Sequence, residues 1–184
     1  MKELSLNILD VAKNSVSAGA QNINISLVTD DNGWLTLTIE DDGCGMSDQM
    51  VKNVFDPFCT TRTTRKVGMG IPLFRFAAEQ TGGKLTISSK HIDEHPDDHG
   101  TDLIAEFDKT HIDFTPLGDI ISTIVTLIQG HPNVDFLFTH SLPGKEIILD
   151  TREVRAVLED VPIDTFEVLL WIKGNLEEQY DDNK

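Results

Sequence analysis

Basic side chains are scarce in this chain of 184 residues: 15 Lys and Arg stand against 31 Asp and Glu, a formal charge of −16. Affinity for nucleic acid comes largely from cations that neutralise phosphates, so the balance opposes general nucleic-acid binding and makes any local cluster of cations conspicuous. Cysteine is nearly absent, with two residues, Cys44 and Cys59. That is too few for a disulfide framework, and both are read as free thiols of a reducing compartment. No run approaches the roughly 18 consecutive apolar residues of a membrane span, and Met1-Lys2-Glu3-Leu4 does not open a signal peptide, so a cytoplasmic protein with no membrane attachment is expected. A P-loop is missing too. Neither Gly83-Lys84 nor Gly144-Lys145 has the upstream Gly and following Ser or Thr that such a loop needs.

What is present is periodic. Leu6, Leu9, Val11, Ala12 and Val16 follow helical spacing, which predicts an amphipathic helix over residues 3 to 18 ending near Gly19. Asp10 and Asn14, four apart, project from one face of it. Ile23, Ile25 and Leu27 alternate with polar residues, as do Leu35, Leu37 and Ile39, and Asp31-Asn32-Gly33 between them signals a hairpin that delivers the chain to Asp41. Helices over about 47 to 54 and 72 to 80 follow, separated by a polar loop, then strands over 84 to 89 and 102 to 107 joined by an acidic loop. The layout is an α/β (α+β) sandwich, a mixed and largely antiparallel sheet covered on one face by helices. A chain of this length can bury one good core, or one core plus a small appendage.

Four short signals run in fixed order through the first 101 residues: Asp10 with Asn14, Asp41-Asp42-Gly43-Cys44-Gly45-Met46, Phe55-Asp56-Pro57-Phe58, and Gly68-Met69-Gly70-Ile71, with Gly100-Thr101 closing the series. A carboxylate at the end of a buried strand, such as Asp41, accepts a hydrogen bond from an exocyclic amine, which adenine has and guanine replaces by a carbonyl at that position. Gly43 and Gly45 let the backbone turn tightly and approach a flat ring. The Asn14 amide oxygen is a hard ligand suited to magnesium. Gly68 and Gly70 stand just before a helix start, where free N–H groups and the helix dipole favour phosphate, and Pro72 suits that first turn. Thr60-Thr61-Arg62-Thr63-Thr64-Arg65-Lys66 packs three cations and four hydroxyls into seven residues, like a flap over anionic phosphates.

Residues 4 to 107 resemble the ATP-binding domain of the GHKL superfamily, shared by sensor histidine kinases, gyrase-type topoisomerases, mismatch-repair ATPases and heat-shock chaperones. The resemblance implies the Bergerat ATP-binding fold, with ATP and magnesium as ligands. It puts Asn14 on the family's magnesium-binding asparagine, Asp41 on its adenine-binding aspartate, and Gly43 and Gly45 on the glycines that follow. Phe55 to Arg62, including Thr60 and Thr61, looks like the aromatic box and lid start of histidine kinases. Gly68-Met69-Gly70-Ile71 corresponds to the second glycine box, and Gly100-Thr101 to the late Gly-Thr near the phosphates. Mismatch-repair ATPases carry a glutamate base four residues before the metal asparagine; here the position holds Asp10, which is either a catalytic base or a solvated helix residue. The chain begins at the metal-binding helix, ahead of which histidine kinases carry their phosphoacceptor histidine, so an acceptor on another chain is expected.

Several features have plainer readings. Phe55 and Phe58 are read as packing residues that anchor the lid, and Cys44 and Cys59 as inert thiols flanking the pocket. His91, His95 and His99 have helical metal-ligand spacing, but Pro96 and the neighbouring Asp residues favour a disordered or mobile acidic loop over a metal site. The domain boundary is placed at 109/110, leaving 110 to 184 as a small α+β unit. In it, Thr115-Pro116 opens a helix that ends at Gly130-His131-Pro132, strands over 134 to 139 and 146 to 149 flank Leu142-Pro143-Gly144, and Asp150 with Glu153 and Asp164 with Glu167 have capping-box spacing. Its expected role is to recruit a partner or form a homodimer, through residues such as Trp171 unless that side chain belongs to the unit's own core. The function expected of the whole is a histidine-kinase-like module that transfers the γ-phosphate to a partner protein or hydrolyses it; the alternative is a nucleotide-sensing or ATP-switched interaction module.

Overall fold

The computed structural model describes residues 3–56 and 70–181. In chain order its elements are α1 (Leu4–Ser17), β1 (Asn22–Thr29), β2 (Trp34–Asp41), α2 (Asp48–Asn53), α3 (Gly70–Gln80), β3 (Leu85–Lys90), β4 (Gly100–Asp108), α4 (Ile120–Gly130), β5 (Asp135–Leu142), β6 (Lys145–Asp150), α5 (Thr151–Leu158) and α6 (Phe166–Asp181). The strands form one six-stranded sheet in the order β3-β4-β2-β1-β5-β6. All pairings are antiparallel except β1 with β5, which is parallel. The sandwich expected from the alternating strands is present.

Strand periodicity decides which face is covered. Ile23, Ile25 and Leu27 of β1 pair across to Asp41, Ile39 and Leu37 of β2, and the apolar members are buried, while Asn22, Asn24 and Ser26 point the other way. Helices α3, α1, α4 and α6 pack on the buried face, each touching the next. Phe74 of α3 stacks on Phe107 of β4 with ring centroids 5.8 Å apart, and Phe136 and Phe138 of β5 are equally buried. Burial of each such ring stabilises the fold by about 2–3 kcal/mol.

The segment from residue 110 onward extends the same sheet. β5 lies parallel against β1, so Phe138 stands opposite Ile25, and one contiguous core runs from Leu4 to Leu176. The boundary read from the sequence rested on where the motifs stop, and side-chain pattern cannot show which strand a later strand will pair with. The helix expected from Thr115 begins at Ile120 instead. Asp119 caps it by accepting a hydrogen bond from Ser122 N–H at 2.9 Å, while the carbonyls of Pro116 and Leu117 are taken by the N–H groups of Leu4 and Ser5. Asp150 caps α5, accepting from Arg152 N–H. Before α6 the residue next to the helix is Thr165, whose carbonyl accepts from Leu169 N–H, one position after the Asp164 expected there. The Gln179 side chain of α6 accepts from Ile148 N–H and donates to Ile148 C=O, occupying backbone groups on the outer edge of β6 where another strand would otherwise add.

One buried histidine makes stability depend on pH. His140 of β5 is 5% exposed, and its Nδ1 shares a 2.7 Å hydrogen bond with the Tyr180 hydroxyl. Burial, helped by the nearby Lys109 cation, pulls the imidazole from 6.5 down to about 4, and burial pushes the Tyr180 phenol up. The folded state therefore holds His140 neutral. Its contribution is complete above the unfolded value and is lost as pH falls through the window from 6.5 to 4. At 1.36 kcal/mol per unit, about 2 kcal/mol disappears between pH 6.5 and 5. Urea denaturation of wild type and His140→Gln at pH 7 and pH 5 checks this. The pH difference should shrink by that amount in the variant, and an unchanged difference would assign acid sensitivity to other groups.

Candidate functional site

The end of β2 is held from three sides. Ser15, buried on the inner face of α1, donates its hydroxyl to Asp41 Oδ2 at 2.5 Å. Gly43 N–H donates to Asp41 Oδ1 at 2.9 Å. Across the sheet Asp41 stands opposite Thr101 of β4. Each carboxylate oxygen thus takes one donor and keeps acceptor capacity for a ligand. Next to it, Asp42 accepts from Gln21 N–H, Asn22 N–H and the Asn22 amide. Burial pushes its carboxyl up, the three hydrogen bonds more than offset this, and the group ends below the usual carboxylate range. Asp42 thereby ties the strand end to the start of β1, and Asp41 faces the site.

The glycines of this loop are demanded by close backbone approach. Gly45 has φ +68°, and a Cβ there would lie 1.9 Å from the Lys90 carbonyl oxygen. Gly100 has φ +141°, and its Cβ would lie 1.9 Å from the Asp41 carbonyl oxygen. The loop after β2 is therefore clamped between α1 and the β3–β4 connection. Cys44 N–H donates to Ala18 C=O at 2.8 Å, and Cys44 C=O accepts from Ile92 N–H at 2.9 Å. Ser89 gives its proton to Gly100 C=O and accepts from Met46 N–H, each at 2.8 Å, with the Thr101 hydroxyl 2.8 Å away. His99 Nδ1 donates to Gly43 C=O at 2.6 Å.

That last bond corrects the reading of the histidine-rich loop as disordered or mobile. Residues 91 to 99 form turns docked on the Asp41–Met46 loop, anchored by His99, by Ile92 and by the Lys90–Asp98 pair. The Lys90 ammonium beside Asp98 holds that carboxyl below its usual range. Among the described residues no group of three or more His, Cys, Asp or Glu side chains is placed to hold a metal. Sequence alone assigns no such bracing role to Ser15, Ser89 or His99. Ser15 sits beside Asn14 and its inward position follows from the same helical period, whereas Ser89 and His99 acquire a role only through the β3–β4 register.

Asp10 and Asn14 lie exposed, one turn apart on α1. Asp10 abuts the first residue of α3: a Cβ on Gly70 would meet Asp10 Cβ and Oδ2 at 3.7 Å. Gly70 is thus inside the first turn of α3 rather than ahead of it, and Ile71 packs partly buried against the core. Phe55 packs there too, with the Arg75 guanidinium 4.6 Å above its ring. Pro57, Phe58, Cys59, Thr60, Thr61, Arg62, Lys66, Gly68 and Met69 lie outside the described residues.

The chemistry of these donors suits a nucleotide and magnesium. Asn14 offers one hard oxygen from an exposed helix face, which suits an ion that keeps several waters and takes phosphate oxygens as its other ligands. The open acceptors of Asp41 fit an exocyclic amine. Among the described residues no helix is long and apolar enough to cross a membrane.

Comparison with known proteins shows which sequences and folds this chain is similar to. The profile of the family described as histidine kinase-, DNA gyrase B-, and HSP90-like ATPase matches residues 1–111. The chain is 32% identical over 89 residues to the signal transduction histidine-protein kinase AtoS of Escherichia coli, a match that covers 48% of this chain and 14% of that protein. In fold it is similar to the Aquifex aeolicus MutL ATPase domain complexed with ADP, with a TM-score of 0.56, 13% identity, and 86% of this chain and 70% of the other covered. It is similar as well to the N-terminal domain of a DNA repair protein, with a TM-score of 0.55, 14% identity, and 80% and 52% covered. This chain thus spans about a seventh of the kinase it matches and about half of the repair-protein domain.

Proposed function

From the premise that this chain belongs to the family of histidine kinase-, DNA gyrase B- and HSP90-like ATPases, we propose that it binds ATP with magnesium and passes the γ-phosphate to a partner protein. The observation that carries the reading is the Asp41 carboxylate, fixed by Ser15 and Gly43 with acceptor capacity left over. It would take the adenine amine, while Gly43, Gly45 and Met46 give the ring a backbone wall and Thr101 supplies a hydroxyl at the strand end. Asn14 would hold the magnesium, which neutralises phosphate charge when bound. Gly68, Met69, Gly70 and Ile71 would cradle phosphates at the start of α3, and Thr60, Thr61, Arg62 and Lys66 would close over them. Transfer to a partner is supported by the likeness to a histidine kinase over 89 residues.

Hydrolysis is the second reading, favoured by the position of Asp10. It lies exposed against the first turn of α3, where a carboxylate can orient a water. In that case ATP state would switch association with a regulatory partner or a second copy. A cytoplasmic location belongs with either reading.

Calorimetric titration of ATP and GTP with magnesium, followed by γ-labelled ATP, tests the proposal. ATP should bind at least about a hundredfold more tightly than GTP, because guanine presents a carbonyl to the Asp41 oxygens and two acceptors repel. Label arriving on an added histidine-kinase substrate protein supports transfer. Label released as phosphate and lost in Asp10→Asn supports hydrolysis. Equal affinity for the two nucleotides, or no ATP binding by folded protein, would overturn the pocket assignment.

A further inference from the structure

Helix α6 is apolar on two faces. Val168, Leu169, Ile172 and Leu176 fill the core, yet Phe166 is 73% exposed, and Leu170 and Trp171 are each 58% exposed. Trp171 is therefore on the surface, the position that suits the partner role expected of this segment. Phe166, Leu170 and Gly174 recur every four residues and so form one ridge along the outer face. Gly174 stands in the interior of the helix, where glycine is less favourable than alanine. Nothing inside the molecule requires it, since a Cβ there would meet no atom within 4 Å. A helix carrying two large exposed apolar side chains and then an unexplained glycine on the same ridge is shaped for the close approach of another helix.

Charge selects the occupant. Asp164 and Glu167 flank the start of the ridge and Glu178 closes its far end, none with an ion-pair partner among the described residues, while Lys173 is matched by Glu177. A second copy of this chain would bring the same carboxylates face to face, with −16 on each molecule. We propose that the outer face of α6 docks an amphipathic helix of a partner protein whose apolar stripe is flanked by Lys and Arg. Its large side chains would interleave with Phe166 and Leu170, its backbone would cross at Gly174, and its cations would meet the three carboxylates.

The test uses the full chain and two synthetic helices of 16 residues with the same leucine face, one with lysine and one with glutamate on the polar side, in about 150 mM salt to screen diffuse attraction. The lysine helix should bind in a calorimetric titration and the glutamate helix should not. Gly174→Leu should weaken binding at least tenfold, because it fills the crossing point, and should melt no lower than wild type, because it replaces a helix-interior glycine. Phe166→Ser should weaken it similarly. Equal binding by wild type and Gly174→Leu would reduce the effect to general attraction by an acidic surface and overturn the proposal. So would absence of binding, or a wild-type dimer in sedimentation that Gly174→Leu dissociates. The outcome is independent of nucleotide, so failure here leaves the ATP pocket untouched, and failure of the pocket leaves this surface to be judged on its own.

Discussion

Asp41→Asn is expected to weaken ATP binding about a hundredfold, on the order of 3 kcal/mol, while the fold survives. Gly43 N–H donates to one oxygen of Asp41, so the asparagine must put its own oxygen there and its NH2 where Oδ2 now sits. The Ser15 hydroxyl, now a 2.5 Å donor to Oδ2, can turn and accept instead. An adenine amine at Oδ2 would have no such freedom: it would meet a donor with a donor, and the charge expected to strengthen its bond to Asp41 would be gone. Calorimetry with magnesium and ATP measures the loss, and thermal melting shows that the strand end still holds. Retention of wild-type affinity would remove Asp41 from the ligand site.

Gly45→Ala is expected to cost about 3 kcal/mol or more in stability and to remove ATP binding with it. The backbone at Gly45 is left-handed, which alone strains an alanine. Steric contact costs more, because the added Cβ would sit 1.9 Å from a carbonyl of Lys90, far inside van der Waals distance. Either the loop after β2 lifts away or the end of β3 moves, and both break the Ser89 bond to Met46 N–H. Gly19→Ala is the control. Its φ is +82°, but its Cβ would meet nothing within 4 Å, so only the backbone strain, about 1 kcal/mol, applies. Chemical denaturation of both variants separates backbone strain from steric contact, and equal destabilisation would mean that the Lys90 contact relaxes at little cost.

Local periodicity and motif order carried the reading of the first half of the chain. α1 and the β1–β2 hairpin were legible because their apolar residues repeat at 3.6 and 2.0, and Asp31-Asn32-Gly33 supplies the turn between the strands. Boundaries moved where a cap or a distant backbone partner outweighed the pattern, as at Asp119, whose neighbours Pro116 and Leu117 are engaged by the start of α1. The 91–99 loop was misread because acidic, proline-containing composition describes solvated surface in general. One specific bond, His99 to Gly43, docks it.

By itself the sequence determined the alternation that makes one sheet face apolar, the helix that presents Asp10 with Asn14, and the strand that ends at Asp41, since each depends on residues within a few positions of one another. Tertiary structure alone decided that β5 lies parallel to β1, that Ser89 and His99 brace the loop after β2, and that Phe166, Leu170 and Trp171 remain outside. Those outcomes depend on which surfaces meet after the chain has folded back over tens of residues, and a local pattern says only that a face is apolar, never which partner will bury it.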